Sequence, residues 1–307
     1  MTKFIDYSII TVRFFKRGNM NKEGFINYIV NIEEKGLSLK DFLKQKELSS
    51  HYLIKLRNND KVLVNGKIQK YWQPLDCNDQ ITIDPYLDEP SNVIPVKMDL
   101  DILYEDHDYI ALNKEYNMAT HPTSGHMDNT IANGVIYHLQ ENGFKSIHPI
   151  NRLDKTTSGV IIFAKHPIAQ HALTINRPFK EYRALVEGVV EKDHEIINEP
   201  IAKIDAPSIR RIITDTGKDS RTEYFTLSRS DKYSLLRIIL HTGRTHQIRV
   251  HLSHIGHPLV GDFLYGEENA PRLFLHSHLY IFKHFRNDKE VRVQAPQPPI
   301  FDYYLHL

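Results

Sequence analysis

The chain has a single cysteine, Cys77, in 307 residues. No disulfide can form within it, which excludes the small disulfide-stapled secreted folds and suits a reducing compartment. Long apolar runs are missing too: none approaches the roughly 20 residues that a membrane-spanning helix needs. The short apolar stretch at residues 7–12 is bracketed by Asp6 and Arg13, too short and too charged for a secretory signal. The expectation is a cytoplasmic protein that does not enter a membrane. There is no G-x-G-x-x-G and no P-loop lysine motif, so nothing points to a dinucleotide or a nucleoside triphosphate; without a G-x-S-x-G elbow, nothing supports a serine hydrolase. Net charge is nearly absent as well, 39 Lys/Arg against 38 Asp/Glu, so the bulk value names no polyanionic partner.

The distribution of charge says more than its total. Residues 37–70 carry eight Lys/Arg against three Asp/Glu, and residues 150–250 carry 17 against 12. Each segment is therefore +5 within a neutral chain, a pattern that suits a nucleic acid, although solvated faces cluster charge by chance as well. The length allows two domains, and the composition, 41% hydrophobic and 25% charged, is ordinary for globular protein.

Residues 1–36 read as an N-terminal extension with no clear pairing pattern, and Met20 offers an alternative start. A small α/β module follows at 37–87. Ser38 caps a helix with Leu39, Phe42 and Leu43 at helical spacing, and Ser49 or Ser50 opens a second with Leu53 and Leu56. Val62-Leu63-Val64 then runs into the Asn65-Gly66 turn, and 79–83 reads as a strand. Pro90 and Pro95 mark a linker at 88–100. Residues 101–307 form a larger mixed domain. In it Thr130 caps a helix with Ile131, Val135 and Leu139 on one face, and 159–164 is an apolar strand buried on both faces. Pro167 begins a helix through Ile175, and Thr245 caps another carrying Ile248, Leu252 and Ile255.

The loop before the apolar strand reads Asn151-Arg152-Leu153-Asp154-Lys155-Thr156-Thr157-Ser158-Gly159. A carboxylate flanked by two cations is favoured in the ionised form that attacks carbon. Taken alone, an R-x-D of this kind is more often a turn with an Asx cap. This loop resembles the signature of the RluA-type RNA pseudouridine synthases, HRLDxxTSG. The resemblance continues in register through Lys180-Glu181-Tyr182-Arg183-Ala184-Leu185-Val186-Glu187-Gly188, through Thr242-Gly243-Arg244-Thr245-His246-Gln247-Ile248-Arg249-Val250-His251-Leu252, and through Gly256-His257-Pro258-Leu259-Val260-Gly261-Asp262. It spans about residues 100–300. The 37–87 module is similar, over a shorter stretch, to the S4 RNA-binding domain that many members carry.

The resemblance implies an α+β fold: a catalytic domain with a mixed, mostly antiparallel central sheet flanked by helices and loops, preceded by the S4-like module. It implies an isomerase that converts uridine to pseudouridine in ribosomal or transfer RNA, acts as a monomer and uses no cofactor and no metal. Asp154 is then the nucleophile, Tyr182 stacks on the uracil, and Arg244 pairs with Asp154. Arg152, Lys155, Lys180, His246, Gln247 and Arg249 face the RNA, as do Lys55, Arg57 and Lys67 on the small module. The target base must leave its stack, and Arg152 fills the space it vacates. Two departures bear on loop shape: the family histidine is Asn151 here, and Asn113-Lys114-Glu115-Tyr116-Asn117 lacks the usual Pro and Gly.

Two other readings compete. Five histidines between 241 and 257 invite a metal, yet the H-E-x-x-H spacing of catalytic zinc is absent. An inactive RNA-binding adaptor would explain the basic segments, but would not explain why Asp154, Tyr182 and the arginine are all kept.

Overall fold

Serine caps open the first two helices. Ser38 and Ser49, both in extended backbone, accept the main-chain N–H of Asp41 and Tyr52 and start α1 (Leu39–Gln45) and α2 (Ser50–Asn58), satisfying first-turn donors that have no intrahelical partner. The computed structural model describes residues 24–87, 91–122, 127–205, 208–267 and 270–307; Met20 lies outside them. The buried faces of α1 and α2 pack on a four-stranded antiparallel sheet made of β1 (Ile26–Ile29), β2 (Val62–Val64), β3 (Lys67–Ile68) and β4 (Gln80–Ile83), ordered β1-β4-β2-β3. Asn65 and Gly66 both have positive φ, the backbone that a two-residue hairpin turn requires. Strand β1 corrects the expectation of an unpaired extension over residues 24–36. Ile26 pairs with Ile83 and Ile29 with Gln80, across a separation that local periodicity does not display.

The expected linker has no strand or helix among its described residues, 91–100, and lies along the larger unit. Val96 N–H donates to Asn133 O at 3.1 Å, and Asn133 Nδ2 donates to Ile94 O at 2.7 Å. The larger unit then runs β5 (Ile102–Glu105), β6 (Tyr109–Lys114), α3 (Ile131–Gln140), β7 (His148–Pro149), β8 (Ser158–Ala164), α4 (Pro167–Ile175), β9 (Phe179–Glu187), β10 (His194–Ile197), β11 (Ile201–Lys203), β12 (Arg211–Ile213), β13 (Thr222–Arg229), β14 (Tyr233–Leu240), α5 (Gln247–His254), β15 (Leu275–Lys283), β16 (Glu290–Gln294) and α6 (Ile300–Leu305).

Eight of these strands make the path β10-β13-β14-β9-β15-β8-β6-β5, with β16 on β15 and β7 on β8. The pairing is antiparallel except between β15 and β8, so the expected α+β class with a mixed, mostly antiparallel sheet is what the chain adopts. Every residue of β8 is buried. Ile161 and Phe163 enter the core on one face of the sheet, while Val160, Ile162 and Ala164 enter the core on the other, as a period of two requires.

The parallel contact depends on Gly159. Its φ is +104°, and a Cβ there would sit 2.1 Å from Ser277 O. The close approach places Gly159, Ser277 and Tyr182 in one row across β8, β15 and β9, so the loop before β8 is set directly beside Tyr182. The small unit rests on the larger one. Ile168 of α4 joins its core, and Arg286 donates to Gly24 O and Phe25 O at 2.9 and 2.7 Å.

Candidate active site

The loop at 151–158 is tied down from four directions. Asn151 is buried; its Nδ2 donates to Val160 O at 3.0 Å and its Oδ1 accepts Ile162 N–H at 2.9 Å, so this departure from the family histidine fastens the loop to β8. Thr120 Oγ1 donates to Leu153 O at 3.0 Å, and Arg272 Nη2 donates to Ser158 Oγ at 2.6 Å. The fourth tether is Lys114, fully buried at the end of β6. Its ammonium donates to the carbonyls of Glu115, Met118 and Lys155 at 2.9, 2.8 and 3.2 Å. Burial pushes Lys114 down to about 7, and the nearby Asp154 carboxylate pulls against that shift; three carbonyl acceptors favour the charged form as well. The sequence departure around Lys114 concerns only the missing Pro and Gly; the role of the lysine appears only in the fold, where it meets Lys155 O from 41 residues away.

Within this loop Leu153 points into the core while Arg152 and Lys155 are exposed. Asp154 lies between them, its side chain 35% exposed. It opens onto a cavity of about 300 Å³ lined also by Arg152, Lys180, Tyr182, His246 and Arg249. Tyr182 is only 7% exposed and belongs to the core as much as to the cavity. Burial pushes its hydroxyl up to about 12, so it stays protonated at neutral pH. Lys180, at the cavity edge, is lowered by burial.

The arginine beside Asp154 is Arg249. Its Nη1 lies 3.6 Å from Asp154 Oδ2, and His246 Nε2 lies 3.8 Å from the same oxygen. Arg249 cannot swing away, because its Nε and Nη2 donate to Asp262 Oδ2 and Oδ1 at 2.8 and 2.5 Å, and Asp262 is wholly buried. Burial alone would lower the guanidinium, but the Asp262 contacts outweigh it and raise the pKa. A forked, two-point pair of this kind fixes direction as well as charge. His246 is lowered by burial, with Asp154 acting in the opposite sense. Its Nδ1 is 2.9 Å from the Tyr265 hydroxyl.

These positions correct three expectations. Arg244 does not pair with Asp154: it is exposed, with Nε donating to Asp219 O at 3.1 Å. Arg249 is committed to Asp262 and Asp154 rather than to a phosphate. Gln247 is buried, with its amide used inward: Oε1 accepts from Thr242 Oγ1 and Arg244 N–H, and Nε2 donates to Arg221 O and Thr222 Oγ1. The expected Thr245 cap is not formed: α5 starts one residue later, with His246 at the N-cap in left-handed backbone at φ 59° and no side-chain capping bond. The i, i+3 spacing of His246 and Arg249 was the available signal that both face one side. Of the clustered histidines, His251 is buried against Thr222 and Glu199 O.

Among the described residues, one group with ligand-like spacing occurs, Asp106, Asp108 and His284. It lies outside the cavity, and Asp108 already holds Arg286 and His166. Lys55, Arg57 and Lys67 lie on the small unit, the first half-buried and the other two exposed.

A loop-borne carboxylate held beside a locked arginine, over a tyrosine at the floor of a cation-lined cavity, describes an enzyme for an anionic substrate with a planar group. Comparison with known proteins narrows the class. Residues 108–254 match the family model described as RNA pseudouridylate synthase. The chain is 36% identical over 237 residues to an uncharacterized RNA pseudouridine synthase of Aquifex aeolicus, covering 73% of this chain and 74% of that protein. It is 33% identical over 267 residues to the ribosomal large subunit pseudouridine synthase D of Haemophilus ducreyi, covering 79% and 81%. Among solved structures, human RNA pseudouridylate synthase domain containing 1 superposes with a TM-score of 0.56 at 26% identity, covering 70% of this chain and 89% of that one. The chain belongs to the RNA pseudouridine synthase family and is an isomerase that acts on uridine in RNA.

Proposed function

We propose that this protein isomerises uridines of ribosomal RNA, with Asp154 as nucleophile. The ribosomal assignment is supported by the relatives named for the large subunit. The observation that carries the mechanism is the chain Asp262–Arg249–Asp154, which places a guanidinium beside the Asp154 carboxylate at the cavity that Tyr182 also lines. The flipped uridine enters the cavity with its ring against Tyr182, and Arg152 occupies the space it leaves. Asp154 forms a covalent adduct with the nucleotide, the N-glycosidic bond breaks, and the base turns. The ring is rejoined through C5 as the bond to Asp154 breaks; the C5 proton is lost to a base or to water, and N1 takes up a proton in its place. Atoms and electrons balance within the nucleotide, so no cofactor is required.

Lys155, Lys180 and His246 line or flank the entrance and contact the RNA. The small unit acts as an S4-like RNA-binding module through Lys55, Arg57 and Lys67. No helix among the described residues is long and apolar enough to cross a membrane, and we place the protein in the cytoplasm as a monomer. Mapping pseudouridines across ribosomal and transfer RNA from a deletion strain tests the reading. At least one ribosomal pseudouridine should vanish and return with the wild-type gene but not with Asp154→Asn. Loss confined to transfer RNA would overturn the ribosomal assignment, and rescue by the variant would overturn the nucleophile.

A further inference from the structure

A second cavity, of about 400 Å³, adjoins the first and shares its Gly243-Arg244-Thr245 wall. Its other side is the two-stranded ribbon β11–β12 and the turn through Gly217 and Lys218. Four cations line it, Lys203, Arg211, Lys218 and Arg244, and no carboxylate does. Lys203 and Arg211 are direct cross-strand partners, a pairing of like charges that weakens a ribbon unless something neutralises it. Among the described residues none of the four has an ion-pair partner. The Arg211 Nη1 contacts are to the carbonyls of Ile209 and Arg210 at 3.4 and 3.3 Å.

The cavity's shape is built in. Gly217 packs so closely on β11 that a Cβ would meet Ile201 N at 2.7 Å, and Ile201 and Lys218 exchange two backbone hydrogen bonds, at 3.0 and 2.9 Å. The ribbon is also anchored to the active site. Arg211 N–H donates to the Tyr265 hydroxyl at 2.7 Å, and that hydroxyl lies 2.9 Å from His246 Nδ1, whose ring faces Asp154.

We propose that this basic cavity is a subsite for the phosphodiester of a nucleotide flanking the target uridine. The assignment rests on the isomerase reading and extends it. Arg244, which stands on the wall between the two cavities, becomes a phosphate contact, and the ribbon cations become the grip that holds the strand while the base is turned out. A phosphate among four unpaired cations relieves the Lys203–Arg211 repulsion, and the shared wall keeps that phosphate next to the uridine pocket.

The test uses the full-length protein and a single-stranded oligouridylate of about twelve nucleotides, a length within the range one binding module covers. Affinity is titrated against salt for the wild type and for Lys203→Gln/Lys218→Gln. Each phosphate neutralised on a single strand contributes roughly 0.7 to the slope of log affinity on log salt, so the double variant, which weakens the hold on one phosphate, should lower the slope by up to about 0.7. A control, Lys283→Gln/Lys289→Gln, removes the same charge from exposed positions on the far end of β15 and the turn after it and should keep the wild-type slope. An unchanged slope in the ribbon variant overturns the proposal, as does an equal drop in the control, which would make the effect one of net charge. Protection of the ribbon lysines by inorganic phosphate alone, with no RNA slope change on their removal, would also overturn it by making the site one for a free anion. The titration needs no turnover, so it fails independently of the isomerase reading, which stands on pseudouridine formation by the wild type.

Discussion

Arg249→Met removes the guanidinium that joins Asp154 to Asp262 while retaining most of the side chain's apolar bulk. Asp262 is wholly buried, and its Oδ1 would keep only the N–H of Leu264 and Tyr265, at 3.0 and 3.2 Å. Removing one partner of a buried pair costs about 3–5 kcal/mol, because the remaining charge is left uncompensated. With an unfolding entropy near 2.1 cal/mol/K per residue, a chain of this length should melt roughly 5–8 °C lower. Activity should fall with it, since Asp154 loses its fixed counter-charge. The informative comparison is Arg249→Met/Asp262→Asn, in which the asparagine oxygen still accepts from Leu264 and Tyr265 but carries no charge. That variant should recover most of the melting temperature and none of the turnover. Calorimetric melts and single-turnover assays on one RNA would separate the two effects. If activity returned together with stability, Arg249 would serve only to hold α5 in place, and its role toward Asp154 would have to be withdrawn.

Three further outcomes follow from the same geometry. Tyr182→Phe should retain RNA affinity because the ring face survives, whereas Tyr182→Ala should weaken binding by about 1–3 kcal/mol; because Tyr182 is a core residue, the alanine variant should also lose about 3–5 kcal/mol of stability, so melts must accompany the binding assay, and a binding loss in Phe equal to that in Ala would contradict stacking. Gly159→Ala should cost about 3 kcal/mol or more in urea unfolding, combining left-handed strain with a backbone clash against Ser277; an unchanged midpoint would show that the β8–β15 contact is not as close as described. His284, buried against Asp106 and Asp108, resists protonation through burial, but hydrogen bonds to the two carboxylates prevail and push it up to about 9. Its contribution to stability is therefore complete below the unfolded value near 6.5 and is lost as pH rises through about 9, so the wild-type melting temperature should decline across that window and His284→Asn should flatten the decline.

Much of this site was legible in the sequence because its loop is local. Arg152 and Asp154 flank Leu153, and one buried residue between two solvent-facing ones suffices to aim them. The helix from Pro167 to Ile175 and the buried strand after Ser158 likewise declare themselves through a proline at the first turn and an unbroken apolar run. What was not legible depends on contacts distant in sequence. Strand β1 finds its partner more than 50 residues on, and Lys114 meets the loop through Lys155 O. The choice between Arg244 and Arg249 turned on partners distant in sequence: Arg244 Nε is taken by Asp219 O, while buried Asp262 holds Arg249 beside Asp154. Asn151 shows the opposite case, a departure from the family pattern whose amide fastens the loop by two bonds to β8.

The central claim is that Asp154 carries the isomerisation. It is tested most directly with large-subunit ribosomal RNA transcribed with uridine tritiated at C5, since rejoining the base through C5 expels that label into water. Wild-type protein should release tritium without added metal or cofactor, and Asp154→Asn should release none while binding the same transcript with comparable affinity, because the amide keeps the shape of the carboxylate and loses its nucleophilicity. Tritium release by the asparagine variant at a rate near that of the wild type would contradict the account.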